Sequence, residues 1–453
     1  MLFNTLPFLW FLCATVAGFY LIPKPARKYW LLCASYYFYG SWNAKFLALL
    51  MGVTAMDYCA GRWIASTEGV RRKWILTGSL VANLGVLAFF KYFHFLTETL
   101  LRRRFDLDIV LPIGISFHIF QSISYVVDVY RREQEAIRNP LHYALFLAFF
   151  PQLVAGPIVR ARQFFADLDA WHAPSADAIS RGIFLLALGL TKKMAFADNF
   201  AKVSDSYFNV LSPEMGILNA WSGCIAFALQ IFFDFSGYTD MAIGMAKLFG
   251  FHFPINFRRP YLAGSITEFW RRWHISLSSW LRDYLYIPLG GNRGGTWKTY
   301  RNLILTMLLG GLWHGASWNF VIWGGYHGVL LAVERALGLG EAKGWQRVFR
   351  IPLTFVLVLH GWVFFRAASF ADATFVLERL WHGPAGQWML NPWQMGLIGL
   401  SAMVAVTEEF ANIEDRVVAG PRWAYATSLA MILFVLEIFA VLDVEIPFVY
   451  FQF

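Results

Sequence analysis

Residues 308–323 read Leu-Leu-Gly-Gly-Leu-Trp-His-Gly-Ala-Ser-Trp-Asn-Phe-Val-Ile-Trp, an apolar stretch interrupted by a single imidazole, His314. An ionisable side chain at membrane depth is costly, so such a residue is by default a hypothesis for a functional site. Histidine can also take and return a proton near neutral pH. The alternative is a structural histidine bonded to a carbonyl of a neighbouring helix. The small residues Gly310, Gly311 and Gly315 favour a site, because they allow close approach of a substrate or another chain.

The composition around this stretch is that of a polytopic membrane protein. Of 453 residues, 58% are hydrophobic and 15% charged, whereas a soluble protein has roughly half and a quarter. The apolar segments recur along the whole chain, at 5–22, 29–42, 45–61, 74–95, 109–130, 141–159, 182–200, 217–236, 303–331, 351–366, 395–411 and 423–442. We therefore predict an all-α integral membrane protein with roughly 11–12 transmembrane or re-entrant helices, forming one domain over 1–453. Proline and glycine interrupt several segments, which predicts an enclosed cavity.

The positive charge follows membrane topology. The net charge is +9, and the basic residues cluster at the ends of apolar segments, which favours anionic lipid headgroups over nucleic acid as the partner. Three basic loops fall on one side if the N-terminus faces outward: 24–28, 62–73 and 131–138. The positive-inside rule makes that side cytoplasmic. The basic run 102–104 departs from this pattern.

Residues 252–302 form a basic, aromatic-rich segment that contains a second candidate histidine. Arginine and tryptophan together predict a re-entrant or interfacial segment on the cytoplasmic side. If the segment is helical, Trp270, Trp273, His274 and Leu277 share one face, and the imidazole points inward. Taken alone, a histidine on such a helix is more often structural.

Two further groups of polar residues interrupt apolar segments. Gln230, Asp234 and Tyr238 follow one another at intervals of four residues and predict a polar stripe along a helix. The stripe is either a wall of a reaction chamber or a network between helices, and the network is favoured. Lys192 and Lys193 are expected to extend toward the membrane interface.

Metal and nucleotide chemistry have little support in the sequence. The four cysteines have no paired spacing, and no metalloprotease, esterase-elbow, P-loop or dinucleotide motif is present. His327 follows His314 by thirteen residues, which is about 220° around a straight helix and predicts that the two share no face. We expect neither a metal nor a bound cofactor.

Longer motifs give a family resemblance. They are Leu111-Pro-Ile-Gly-Ile-Ser-Phe117, Phe150-Pro-Gln-Leu-Val-Ala-Gly-Pro-Ile-Val-Arg160, Phe233-Asp-Phe-Ser-Gly-Tyr-Thr-Asp-Met-Ala-Ile-Gly244, Phe269-Trp-Arg-Arg-Trp-His-Ile-Ser-Leu-Ser-Ser-Trp280 and Gly310-Gly-Leu-Trp-His-Gly-Ala-Ser-Trp318. In these strings and their order the chain resembles the membrane-bound O-acyltransferases, in the bacterial branch that includes the alginate O-acetylation membrane subunit. The likeness continues to the closing residues 448–453.

The resemblance implies a fold, a reaction and a set of residues. It implies helices around a central funnel, His314 as the catalytic histidine and His274 as the second characteristic histidine. The low-ranked candidates for lining the chamber or binding the donor are Asp234, Tyr238, Asn319, Arg271 and Arg272. His118 departs from the branch, where an aromatic residue is usual.

The same resemblance implies partners and a location. An acyl thioester donor, with acetyl-CoA expected, would lie on the cytoplasmic side of a bacterial inner membrane, and the N-terminus would be periplasmic. A periplasmic acetyltransferase protein would receive the acyl group, and a polysaccharide synthase complex could accompany it. The polymer could be alginate, cellulose, another exopolysaccharide or peptidoglycan.

Several alternatives stay open at the level of the sequence. His314 could act as a base or carry the acyl group covalently. A transporter or channel for the acyl donor or polymer would also need broken helices, intramembrane polar groups and a basic mouth. A non-catalytic scaffold for a synthase complex is a further alternative.

Overall fold

The computed structural model describes residues 1–103, 105–441 and 446–449, and the regular structure within them is helical. The all-α prediction is confirmed. The chain packs as two compact units, one of Met1–Leu186 with Thr239–Pro254 and the other of Ala187–Tyr238 with Ile255–Phe453. Arg104 and the closing residues 450–453, both used in the sequence argument, lie outside the described residues. The prediction of a single domain stays a prediction.

The first unit carries the N-terminal helices. Their bounds are α1 (Leu6–Leu21), α2 (Arg27–Gly40), α3 (Ala44–Ser66), α4 (Val70–Phe90), α5 (Phe93–Leu101), α6 (Ile115–Arg131), α7 (Pro140–Ala148), α8 (Phe150–Leu153), α9 (Ala161–Asp169) and α10 (Ala176–Thr191), whose last residues belong to the second unit. The apolar segment predicted over 141–159 is divided between α7 and α8, because Pro151 cannot donate an intrahelical hydrogen bond. The segment predicted over 109–130 becomes helical only at α6, after Gly114. Gly114 has φ 73°, and a Cβ added there would overlap the carbonyl oxygen of Leu153.

The second unit carries the candidate histidines. Its helices are α11 (Asp198–Phe208), α12 (Ile217–Leu248), whose last residues belong to the first unit, α13 (Ile266–Arg272), α14 (Ile275–Leu281), α15 (Thr296–His314), α16 (Trp318–Ala336), α17 (Gln346–Arg366), α18 (Phe370–Arg379), α19 (Pro392–Ala411), α20 (Ile413–Val418) and α21 (Arg422–Phe439). Two π-helical turns, Lys192–Ala197 and Arg282–Tyr286, interrupt the α-helical pattern.

The decisive stretch around His314 is a helical hairpin rather than one helix. The apolar segment predicted over 303–331 splits at Gly315, where α15 ends in extended backbone before α16 begins. The two helices touch backbone to backbone, because a Cβ on Gly311 would overlap the carbonyl oxygen of Phe320, and one on Gly324 would overlap that of Met307. Small residues at such an interface are typical of helix packing in membranes.

The helix lengths agree with a multi-pass membrane protein. Among the described residues, five helices are long and apolar enough to cross a bilayer, namely α3, α4, α12, α17 and α21. The other predicted spans correspond to helices that are shorter, broken or more polar. The predicted number of spans and the central funnel therefore stay predictions.

Candidate active site

His314 is the last residue of α15, and aromatic rings surround it. Its side chain is buried, and its ring centroid lies 4.9 Å from Trp313, 5.1 Å from Trp323 and 5.3 Å from Phe365. These neighbours come from α15, α16 and α17. The break at Gly315 ends α15 at the histidine, so the imidazole lies at a helix terminus and not in the middle of a continuous span.

His274 lies beside the same rings. The aromatic cluster, as named from here on, consists of His274, His314, Phe235, Trp313, Trp323 and Phe365. It is fully buried, and its ring centroid lies 4.7 Å from Phe235 and 6.1 Å from Trp313. Since Trp313 also contacts His314, one indole ring touches both predicted catalytic histidines. The sequence predicted these two residues separately, and the structure brings them together.

The predicted helix face that carries His274 is wrong. The helix ends at Arg272 and resumes at Ile275, and His274 between them has φ 42° and ψ 55°. Backbone bonds hold this break, since Ile275 N donates to Asn256 O and Arg258 N donates to Arg272 O, each at 2.9 Å. Trp273 and His274 are both buried, as predicted, but through a left-handed turn and not through an amphipathic helix.

A third histidine, His327 of α16, adjoins the cluster. It is fully buried, and its ring centroid lies 5.1 Å from Trp323 and 5.2 Å from Trp270. Trp323 therefore contacts both His314 and His327. The prediction that His314 and His327 lie on one straight helix, where they would share no face, is wrong because the chain turns at Gly315. The Gly-Ala-Ser sequence at 315–317 was the available signal for this turn.

Asp234 belongs to a buried ionic cluster. The Lys193 ammonium lies 2.7 Å from an Asp198 carboxylate oxygen and 3.0 Å from one of Asp234, and it donates to the Ile446 carbonyl at 3.0 Å. Asp234 also accepts the Val449 N–H. The network prediction for Asp234 agrees with this geometry. The expected extension of Lys193 toward the membrane interface is wrong, because two carboxylates hold its ammonium inside the second unit.

The other low-ranked candidates have separate surroundings. Tyr238 stacks on Phe448 with centroids 4.9 Å apart, and the Asn319 amide donates to the Ala367 carbonyl at 2.9 Å. The chamber-lining role of Tyr238 and Asn319 stays a prediction.

The two arginines before His274 face carboxylates. Arg271 pairs with Glu341 at the surface. Arg272 donates to both oxygens of Glu409, at 2.9 and 2.7 Å, and lies 2.7 Å from Glu268. Two parallel hydrogen bonds from a guanidinium to one carboxylate fix the orientation of the guanidinium group. This geometry anchors the end of α13, and the predicted donor-binding role of Arg271 and Arg272 stays a prediction.

Within the described ranges there is no group of three or more His, Cys, Asp or Glu side chains arranged to hold a metal ion.

Comparison with known proteins identifies the family. The model of the membrane-bound O-acyltransferase family matches residues 31–371. A protein named probable alginate O-acetylase AlgI, from Azotobacter vinelandii, is 45% identical over 444 residues, which cover 95% of this chain and 87% of the relative.

The names of two other relatives specify different acceptors of the acyl group. A peptidoglycan O-acetyltransferase from Helicobacter pylori is 39% identical over 420 residues, covering 83% of this chain and 79% of the relative. A teichoic acid D-alanyltransferase from Bacillus subtilis is 29% identical over 333 residues, covering 68% and 82%. Acyl transfer is common to these names, and the resemblance seen in the motifs is confirmed. The chain is an acyltransferase that belongs to the membrane-bound O-acyltransferase family.

Proposed function

We propose that this protein takes an acetyl group from a cytoplasmic thioester, acetyl-CoA or a related donor, and passes it toward a hydroxyl of an exopolysaccharide or cell-wall polymer. The observation that carries the proposal is the position of His314. It ends α15 inside an aromatic cluster that also contains His274, within the region that the family model matches. The names of the relatives support acetyl as the group and a polymer as the acceptor.

The chemistry needs one base at the reacting hydroxyl. The neutral imidazole of His314 takes the hydroxyl proton as the oxygen attacks the thioester carbonyl carbon. The carbon–sulfur bond then breaks, and the thiolate takes the proton from the imidazolium. Aromatic walls exclude water, which suppresses hydrolysis of the thioester and strengthens the electrostatic interactions of the reacting groups. In the variant mechanism the His314 imidazole itself attacks the thioester carbonyl carbon, the carbon–sulfur bond breaks and the thiolate leaves, which forms an acyl-histidine. The acceptor hydroxyl then attacks this acyl carbon, the bond to the imidazole nitrogen breaks, and the hydroxyl proton goes to the departing thiolate.

The basic segment 252–302 is the proposed contact for the anionic part of the donor. Arg271 and Arg272 are engaged by glutamates, as described above. In contrast, Arg258, Arg293 and Lys298 have no carboxylate partner among the described residues. Unneutralised cations at the mouth of a site attract anionic substrates.

The same proposal assigns a location and partners. The basic loops 24–28, 62–73 and 131–138 support the proposed location in a bacterial inner membrane with the N-terminus in the periplasm. A periplasmic acetyltransferase protein would then receive the acetyl group and complete the transfer, in association with a polysaccharide synthase.

The direct test uses purified protein in lipid vesicles supplied with radiolabelled acetyl-CoA. Alginate and peptidoglycan fragments are the offered acceptors, with and without a periplasmic extract. We expect release of free CoA and labelled polymer, and loss of both by about a thousandfold in His314→Ala. A His314→Ala protein that inserts normally and transfers acetyl groups at the wild-type rate would contradict the proposal.

The transporter alternative gives a different result in the same vesicles. It predicts that intact acetyl-CoA, or an offered polymer, crosses the bilayer while the thioester is conserved. A scaffold predicts neither reaction nor transport, and no effect of replacing both His274 and His314 on acetylation in cells.

A further inference from the structure

We propose that Asn256 is a positioning residue that holds the imidazole of His274 in the aromatic cluster. The inference rests on the proposed function only for its kinetic consequence. Its structural part depends on the backbone around His274.

His274 adopts a backbone conformation that its residue type does not favour. Its φ of 42° and ψ of 55° lie in the left-handed region. In this region the Cβ atom lies too close to the following carbonyl oxygen, and only glycine avoids the steric penalty. Such a conformation persists where surrounding contacts over-determine it, and it is concentrated at functional sites. The contacts that impose it here must act on both sides of the residue.

The loop that contains Asn256 supplies those contacts. The Asn256 carbonyl accepts the Ile275 N–H at 2.9 Å, and its side-chain Oδ1 accepts the Ser276 N–H at 3.2 Å. On the other side of His274, Arg258 N donates to Arg272 O at 2.9 Å. Three hydrogen bonds from 256–258 therefore enclose the strained residue.

The side chain of Asn256 also replaces a missing cap. The first N–H groups of a helix lack intrahelical partners, and a side chain of the N-cap residue usually accepts one of them. His274 is the N-cap residue of α14, and its side chain makes no such capping bond. Asn256, which is fully buried, accepts from α14 in its place. The imidazole is thus left to face Phe235 and Trp313.

Removal of the Asn256 side-chain amide takes away one of these three bonds, the one to the Ser276 N–H, and so loosens the start of α14. His274 can then relax from the left-handed region, and its ring moves relative to Trp313 and His314. A displacement of about 1 Å at a reacting group can cost a hundredfold in rate. The ground-state affinity for the donor does not depend on this displacement.

The experiment compares three variants of the full-length protein in the vesicle assay with acetyl-CoA. Asn256→Ala removes the acceptor, and Asn256→Asp keeps an oxygen at the N-terminus of α14, where negative charge is favourable. Asn219→Ala is the control, because the Asn219 side-chain Oδ1 likewise accepts backbone N–H groups, those of Gly216 at 3.0 Å and Gln387 at 3.1 Å, away from His274. Each protein is also treated with diethylpyrocarbonate, and modification of His274 is measured by mass spectrometry.

We expect Asn256→Ala to lower kcat about tenfold or more, with the KM for acetyl-CoA changed by less than about twofold. Modification of His274 should become faster in the same variant. Asn256→Asp and Asn219→Ala should both stay near the wild type in kcat and in His274 modification. If Asn256→Ala does not fold, Asn256→Ser is used, since its short hydroxyl leaves the Ser276 N–H without the amide acceptor.

Two results would overturn the proposal. One is a wild-type rate of His274 modification and a wild-type kcat in Asn256→Ala. The other is an Asn256→Asp protein as impaired as Asn256→Ala, because it would show that the site needs the bulk or neutrality of the amide and not its acceptor oxygen. If the wild-type protein itself consumes no acetyl-CoA, the proposed function fails, and the modification of His274 still decides the role of Asn256.

Discussion

Two buried polar regions of the second unit contrast with each other. In the ionic cluster, the Lys193 ammonium faces the carboxylates of Asp198 and Asp234. In the aromatic cluster, His274 and His314 face Trp313 and other rings. Both regions interrupt apolar segments. From the sequence alone His274 and His314 are candidates for catalysis, Asp234 is a low-ranked candidate for lining the chamber, and Lys193 has no predicted chemical role.

The difference lies in how each region compensates its polar groups. The ammonium lies between two carboxylates and also bonds to a backbone carbonyl. Removal of any one member of this cluster leaves a buried charge with fewer partners, which is costly. The contacts described above for the two histidines are with aromatic rings. The first arrangement is that of an ionic network that holds the fold, and the second is the one that the proposed proton transfer would use.

The largest expected effect separates activity from stability. His314→Gln should lower acetyl transfer by about a thousandfold and leave the thermal unfolding midpoint in detergent unchanged. Asp234→Asn should do the reverse, with a lower midpoint and a normal rate per folded molecule. Equal losses of activity in both variants would remove the distinction between the two clusters.

Lys193→Met should be the most destabilising change. It leaves two buried carboxylates without their cation, which costs about 3–5 kcal/mol, and we expect a large fall in unfolding midpoint and in yield. The exposed Lys45→Met is the control, with no change. A triple variant that adds Asp198→Asn and Asp234→Asn should recover part of the loss, and no recovery would argue against charge compensation as the cause.

Glu334 is a buried carboxylate whose partners on the described part of the chain are neutral N–H and hydroxyl donors. It accepts the N–H groups of Ile266 and Thr267, each at 2.8 Å, and the Thr267 hydroxyl at 2.6 Å, and so caps α13. Glu334→Gln should cost about 2 kcal/mol, measured by denaturation in detergent. The surface Glu341→Gln should cost less than about 0.5 kcal/mol, and similar losses in both variants would contradict the capping role.

The smallest effect concerns the strain at His274. Both His274→Gly and His274→Ala lose the imidazole, but only glycine adopts the left-handed conformation without a Cβ clash. His274→Gly should therefore be the more stable variant by about 1 kcal/mol. Equal unfolding midpoints for the pair would mean that the backbone at 274 relaxes freely.

Much of the fold followed from periodicity and composition. The helical class, the membrane location and the burial of His274 and His314 were predicted from apolar segments and their interruptions. The hairpin at Gly315 is not among the predictions, because residues 303–331 form one long apolar segment in which only the small residues 315–317 mark the turn. The left-handed turn at His274 carries no proline or glycine to mark it.

The contacts that complete the two clusters depend on longer-range geometry. Lys193 and Asp198 are five residues apart, which an α-helix places on different faces. The π-helical turn Lys192–Ala197 brings such residues together, since its bonds run from i to i+5. The contacts of Asn256 and Trp323 could not be predicted for a similar reason. Each residue contacts the candidate histidines or their neighbours through packing between segments that are distant in the sequence.

The glycine contact between α15 and α16 has a mechanical consequence. Because the backbones touch at Gly311 and Gly324, α15 and α16 are close-packed along this contact and behave as one rigid element. His314, Trp323 and His327 all lie on this element. A larger side chain at Gly311 or Gly324 would force the two helices apart, and it should therefore displace these three side chains relative to one another.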